Sequence, residues 1–393
     1  MTGQVVVIAA LVLLLWGLLF WRTGPALGWS RRGRWWAAGG SFLLVALASV
    51  GMVGSTGLAD PRRWRWLMTG LLVLDAFFLY LLIGLLAAGL AGSGWRLVDR
   101  LRGVRTDRAV RFRRLRRLTA ATTVAAALVT GYGVVEAARP ETTRFTVTSA
   151  DLPAEFDGFR IALITDLHVG PARDRDFVER LVAQVNAEQV DLVVIAGDLV
   201  DGPAAALADD LAPLAQMRTT YPVVVTTGNH EVYSNAPEWV ATWRRQGLTV
   251  LTNEALVLSR GSASIDVLGV NDRSSQPPLT EDLQAAVTQL PQQGVSPGDT
   301  GRFRLLIAHQ PRMAASANGL AARSGVDLQL SGHTHGGQMW PLHYLVPLQQ
   351  PYLSGYQVVS QVPVYTSRGA GSFGPPVRVG APPEIPVITL QRP

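Results

Sequence analysis

DLVVIAGDLVD, Asp191–Asp201, is a short run of β-branched and aliphatic residues that stops abruptly at glycine and two aspartates. Apolar runs of four to eight residues bounded by turn formers read as buried strands. Four more runs end in the same way. IALIT leads into Asp166-Leu167-His168, and VVVTT into Gly228-Asn229-His230-Glu231. RLLIA leads into His309, and DLQLS into Gly332-His333-Thr334-His335-Gly336-Gly337. The full set of strand candidates is Arg160–Thr165, Asp191–Ala196, Pro222–Thr227, Ser264–Val270, Phe303–Ala308 and Val326–Leu330. Helical patterns over Asp174–Glu188, Ala204–Met217, Pro237–Gln246 and Glu281–Leu290 separate them, and further strands follow Val362. Such alternation predicts an α/β layered core with much parallel pairing. In open α/β sheets the carboxyl ends of strands line one crevice. Five polar clusters at five such ends are therefore expected to converge.

The residue types in these clusters point to metal chemistry. The chain has six histidines, and five of them (His168, His230, His309, His333, His335) lie in the clusters. Imidazoles with carboxylates and an Asn carbonyl make a mixed N/O site suited to Mn, Fe, Zn, Ni or Co. Cysteine is absent, which excludes thiolate sites, disulfides and thiol catalysis. Asp166 and His168, like His333 and His335, are two apart, which in an extended chain puts each pair on one side to grip one ion. Six to eight ligands exceed one tetrahedral ion, so two cations sharing a carboxylate are the economical reading. Gly197, Gly228 and Gly332 beside the ligands suit tight turns and close backbone approach. His343, outside the clusters, reads as a surface or pocket-rim residue.

Charge and hydropathy divide the 393 residues in two. Residues 1–140 hold 18 Arg against 5 acidic residues; residues 141–393 hold 17 Arg against 24. The basic half is also the apolar half, which favours membrane topology over nucleic-acid binding. Four apolar stretches, Val5–Trp21, Ala37–Gly57, Trp66–Leu90 and Leu118–Val135, each approach the roughly 17–25 residues of a bilayer span. Eight of the eleven tryptophans precede residue 100, mostly near the stretch ends, where an indole suits the headgroup boundary. Ten arginines between Arg96 and Arg117 outweigh Arg62, Arg63 and Arg65 as the cytoplasmic marker. This topology predicts both termini, and everything after about residue 140, on the extracytoplasmic side. Asp75, inside the third stretch, reads as a packing residue of the bundle. The predicted organisation is a four-span region over 1–140, a linker over 141–156 and the α/β domain over 157–393.

Together, Asp-x-His, Gly-Asp-x-x-Asp, Gly-Asn-His-Glu, a lone His and Gly-His-x-His resemble the calcineurin-like metallophosphoesterase superfamily. The Gly-His-Thr-His-Gly-Gly-Gln extension and the multi-span leader resemble its bacterial membrane-associated branch. The resemblance implies a four-layer αββα sandwich with a dinuclear site. Asp166, His168, Asp198 and His335 would hold one divalent ion, and Asp198, Asn229, His309 and His333 the other, with Asp198 bridging. His230 would face the ester and serve the leaving group, while Asp201, Glu231 and Gln338 would support the site from behind or at its rim. The implied activity is hydrolysis of a phosphate mono- or diester by metal-activated hydroxide, on a lipid headgroup or cell-envelope phosphate near the bilayer. The competing reading is a non-catalytic metal-binding sensor or transporter accessory domain.

Overall fold

A computed structural model describes residues 64–290, 302–315, 319–350 and 352–393, with scattered positions before 64. The first two predicted spans lie outside the described residues. The chain forms two compact units.

In the first unit, α1 (Arg65–Leu101) and α2 (Arg108–Ala137) are long and apolar enough to cross a membrane. They contain the third and fourth predicted stretches and extend beyond both. A Cβ at Gly84 would press on Thr122 of α2 at 2.9 Å, so the missing side chain lets the helices approach closely. Asp75 keeps one sheltered carboxylate oxygen without a hydrogen-bond partner among the described residues.

The second unit is built on two six-stranded mixed sheets. The first joins β1 (Glu141–Thr148), β2 (Phe159–Ile164), β3 (Leu192–Ala196), β4 (Val224–Thr226), β5 (Thr249–Val250) and β12 (Glu384–Gln391) in the order β1-β12-β2-β3-β4-β5. The second joins β6 (Glu254–Arg260), β7 (Ala263–Gly269), β8 (Arg304–Ile307), β9 (Leu328–Ser331), β10 (Gly355–Val359) and β11 (Val362–Thr366) in the order β10-β11-β9-β8-β7-β6. The runs β2-β3-β4-β5 and β11-β9-β8-β7 pair in parallel.

The layering follows from the two-residue period of a strand. Ile161, Leu163, Leu192 and Val194 face Ile265, Val267, Leu305, Ile307 and Leu328 between the sheets. The alternate residues Ala162, Ile164, Val193 and Ile195 face outward, against Phe177, Leu181, Trp239 and Trp243 of the covering helices. On the far side Leu268 and Leu306 meet Leu283, Ala286 and Ala321. The order is thus helices, sheet, sheet, helices. α3 (Arg175–Ala187) shows why these segments are helical. The Asp174 carboxylate caps the Phe177 amide, and Phe177, Val178, Leu181, Val182 and Val185 form its buried stripe.

Two predictions need correction. The segment read as a linker over 141–156 contains β1, which pairs with β12 along its whole length. The helical pattern over Ala204–Met217 stops at Leu211 and continues as a 3-10 turn with Pro213 near its start, because proline cannot donate to the preceding α turn. β5, β6 and β10 had no counterpart among the predicted strands. Both β1 and β6 lie at sheet edges and bury one residue each, Val147 and Leu258, so neither has the apolar density that marks the central strands.

Candidate metal centre

The carboxyl ends of β2, β3, β8 and β9, with the start of helix Asn229–Tyr233 after β4, carry all five polar clusters. Three sets of side chains gather within 4.8 Å: Asp166, His168 and His335; His168, Asp198 and His230; and Asp198, His309 and His333. Asn229 joins the third set, its Oδ1 3.2 Å from His309 Nε2. The structure therefore brings together all seven residues of the implied ligand set. The geometric prediction for the Gly-His-x-His pair is corrected, however. His333 and His335 divide between two sets, whereas Asp166 and His168 share one. The backbone explains this. Asp166, His168, Asp198, His333 and His335 all have φ between 49° and 72°, so these pairs sit in left-handed turns and not on an extended chain. Non-glycine residues adopt that region at a cost and concentrate at functional sites.

Neighbouring groups hold these turns. Glu231, fully buried, accepts the amide hydrogens of Asp198, Leu199 and Gly228 at 2.9, 2.7 and 2.6 Å. Asp166 Oδ2 accepts Thr165 Oγ1–H at 2.7 Å and the His333 amide at 3.0 Å. Gly332 is required here, because a Cβ would overlap Thr165 Oγ1 and Asp166 Oδ2. Gly228 likewise leaves room for the Asp198 carboxylate. Asp201 sits behind two imidazoles, accepting Nδ1–H of His168 at 2.9 Å and of His230 at 2.6 Å.

Proton accounting decides what the cluster can hold. His309 Nδ1 lies 2.8 Å from the Ala196 carbonyl, which only accepts, so Nδ1 carries the hydrogen. A neutral His309 then turns a lone pair at Nε2 toward Asp198 Oδ2 at 3.1 Å, Asn229 Oδ1 at 3.2 Å and His333 Nδ1 at 3.2 Å. The same logic holds for His168. Its Nδ1–H goes to Asp201, leaving Nε2 to face His335 Nε2 at 3.0 Å, and His335 Nε2 is 3.3 Å from Asp166 Oδ1. Once Nε2 of His309 and of His335 gives up any proton it carries, two foci of converging lone pairs remain, and their donor chemistry fits two divalent cations.

The titration behaviour follows. Burial opposes charge on Asp198, but His309 and His230 outweigh it and hold the carboxyl well below its usual range. Burial likewise opposes protonation of His309, and Asp198 overrides it, raising the imidazole well above its ordinary value. Burial and the neighbouring His309 push His333 down to about 3, while burial and His168 hold His335 well below the usual imidazole range. His230 is raised to about 9: burial works against its charge, and Asp198 and Asp201 prevail.

The family comparison covers this region. The calcineurin-like phosphoesterase pattern matches residues 159–337, from β2 through both histidines of Gly-His-x-His. Residues 159–337 belong to the calcineurin-like phosphoesterase family. A zebrafish protein named transmembrane protein with metallophosphoesterase domain is 32% identical over 286 residues, 70% of this chain and 63% of that one. An uncharacterized Helicobacter pylori metallophosphoesterase is 36% identical over 234 residues, 59% of each chain. The match thus spans about three fifths of either relative. An uncharacterized Aquifex aeolicus metallophosphoesterase is 27% identical over 273 residues, 68% of this chain and 97% of that one.

The calcineurin-like match stops at Gly337, yet the centre depends on residues beyond it. The Gln338 backbone amide donates to the His335 carbonyl at 3.0 Å, while its side chain turns to a neighbouring loop. Its side chain donates to the Phe373 and Pro375 carbonyls and accepts the Phe373 amide, which fixes that loop. The Phe373 ring then packs 5.0 Å from His230 and 5.8 Å from His168. Sequence reasoning missed Arg378, which is completely buried. Its guanidinium donates to the carbonyls of His335 (2.7 Å), Arg368 (2.7 Å) and Gly371 (2.6 Å), and lies 3.2 Å from His335 Nδ1. A single arginine in a Gly/Pro-rich tail carries no spacing signal that could have revealed it. His343 is half-buried with its ring against Tyr344, 3.9 Å between centroids.

Proposed function

We propose that this chain is a membrane-anchored, metal-dependent phosphoesterase that hydrolyses a phosphate mono- or diester. The observation that carries the reading is the pair of lone-pair foci at His168 Nε2 and His309 Nε2. One divalent ion would be held by Asp166, His168, Asp198 and His335, and the other by Asp198, Asn229, His309 and His333, with Asp198 shared. Bound there, such ions lower the pKa of water and absorb charge on phosphoryl oxygens. The protein's own groups do the rest. Asp201 fixes the His168 and His230 rings through their Nδ1–H groups. Phe373 and Tyr233 flank the His230 ring at 5.0 and 5.3 Å and restrict its rotation. With Nδ1–H committed to Asp201, His230 Nε2 holds the proton that the leaving alkoxide takes.

Two apolar helices and the transmembrane name of the zebrafish relative support membrane association. We read the region before residue 140 as four spans, with the arginine-rich connector in the cytoplasm and the hydrolase domain outside. A lipid headgroup or cell-envelope phosphate is the substrate class this placement favours.

The full chain in detergent, loaded in turn with Mn, Zn, Ni or Co, is the material for the test. It should hydrolyse bis(p-nitrophenyl) phosphate or p-nitrophenyl phosphate, and Asp198→Ala should lose both bound metal and turnover. Undiminished turnover in that variant overturns the proposal.

A further inference from the structure

The segment after Gly-His-x-His-Gly-Gly has a surface that suits lipid better than water. Trp340, Tyr344, Leu345 and Leu348 expose 51%, 69%, 57% and 80% of their surface, and no residue of the 3-10 segment Leu342–Leu348 is buried. From Gly336 to Ser367 the chain carries no Asp, Glu, Lys or Arg. Soluble domains average about one charged residue in four, so thirty-two uncharged residues with an exposed apolar cluster are a marked departure. Tryptophan, tyrosine and leucine without charge is the composition of a segment lying at the headgroup–acyl boundary.

The chain also restricts what can cover this surface. Only residues 138–140 separate the end of α2 at Ala137 from the start of β1 at Glu141. Four Cα steps reach at most about 14 Å. A domain of this size has a radius of gyration of roughly 18 Å, so a bilayer crossed by α2 would lie within reach of the domain surface. The segment is fixed to the metal centre as well. A Cβ on Gly337 would fall directly on His343, and the Trp340 amide donates to the Val379 carbonyl at 2.8 Å.

We propose that Trp340–Leu348 docks into the bilayer surface and sets the metal centre over a phosphoester carried by a lipid. Docking rests on the exposure, the composition and the short tether; the substrate clause rests on the hydrolase reading above.

The absence of cysteine allows a single label at Leu345→Cys in the full chain. An environment-sensitive fluorophore there, in phosphatidylcholine–phosphatidylglycerol vesicles, should emit blue-shifted and be quenched by nitroxide-bearing lipids. The same label at Ser259→Cys, exposed on β6, the edge strand farthest from β10 in its sheet, should remain unquenched. Water-like, unquenched emission at position 345 overturns docking. Blue-shifted but unquenched emission also overturns it, because a protein surface then covers the segment. Leu345→Asp combined with Leu348→Asp should cut turnover of a vesicle-borne phosphoester by roughly tenfold or more through lost local concentration. Turnover of soluble bis(p-nitrophenyl) phosphate should be unchanged, and an equal loss on both substrates overturns the substrate clause. If the parent chain cleaves neither substrate, the hydrolase reading fails while the quenching result still decides docking.

Discussion

Gly332→Ala is the sharpest test of how the centre is built. The added Cβ would lie 2.7 Å from Thr165 Cγ2 and nearer still to Thr165 Oγ1 and Asp166 Oδ2. Neither oxygen is free to retreat. Thr165 Oγ1 donates to Asp166 and lies 3.1 Å from the Ala196 carbonyl, and Asp166 also accepts the His333 amide. Both residues are completely buried. Relief requires a shift of about 1 Å in the Asp166 carboxylate, with overpacking of about 1–3 kcal/mol. Weakening a hydrogen bond to a charged group adds a comparable amount, so a net loss of about 3 kcal/mol is expected. For a domain of this size that corresponds to a fall of about 6–12 °C in Tm. A misplacement of about 1 Å in a group that positions the reaction lowers turnover by about a hundredfold. Thermal unfolding, elemental analysis and bis(p-nitrophenyl) phosphate hydrolysis on the detergent-solubilised chain read all three effects. Adding Thr165→Ala removes two of the three clashing atoms and should return roughly half of the lost Tm, because contacting sites couple. A Gly332→Ala protein with the parental Tm and full metal content would refute the steric argument.

His230→Ala should keep its metal but lose kcat by roughly a hundred- to ten-thousandfold with little change in KM, measured with a substrate whose leaving group needs a proton. Loss of metal with that substitution would make His230 a ligand. Arg378→Lys should destabilise the protein by roughly 3 kcal/mol or more in denaturant titrations, since a single ammonium cannot satisfy carbonyls held by a planar fork, and Arg378→Met should be no better. Chelation should lower Tm, and restoring a cation at a hundred times its Kd should return about 2.7 kcal/mol of stability, followed by calorimetry. Equal Tm with and without the cation would contradict the lone-pair argument.

The central strands and the gathered side chains were legible because each strand is apolar through its length and stops at a polar cluster. Asp166, Asp198, Asn229, His309 and His333 could be assigned to strand ends, and strand ends share a crevice. How His333 and His335 divide was not legible from spacing, because left-handed turns at non-glycine residues leave no mark in composition. β1 and β6 escaped detection for a related reason: an edge strand buries one residue and satisfies half its backbone with solvent. Arg378 acts through carbonyls brought together only by the fold, so its role depends on contacts far apart in sequence. Of the four apolar stretches, the first two lie outside the described residues, and the other two are the interiors of α1 and α2.

The position of β12 has a consequence for biosynthesis. This strand, Glu384–Gln391, is inserted between β1 and β2, the first two strands of its sheet to be translated. Long-range pairings of this kind carry the largest loop-closure cost and form slowly. The sheet therefore cannot close until the ribosome has delivered residue 391, by which time α1 and α2 have long emerged. α1 and α2 are thus available for membrane insertion before the domain closes. Until then β2 presents an unpaired edge, and a chaperone that shields strand edges would find its target there.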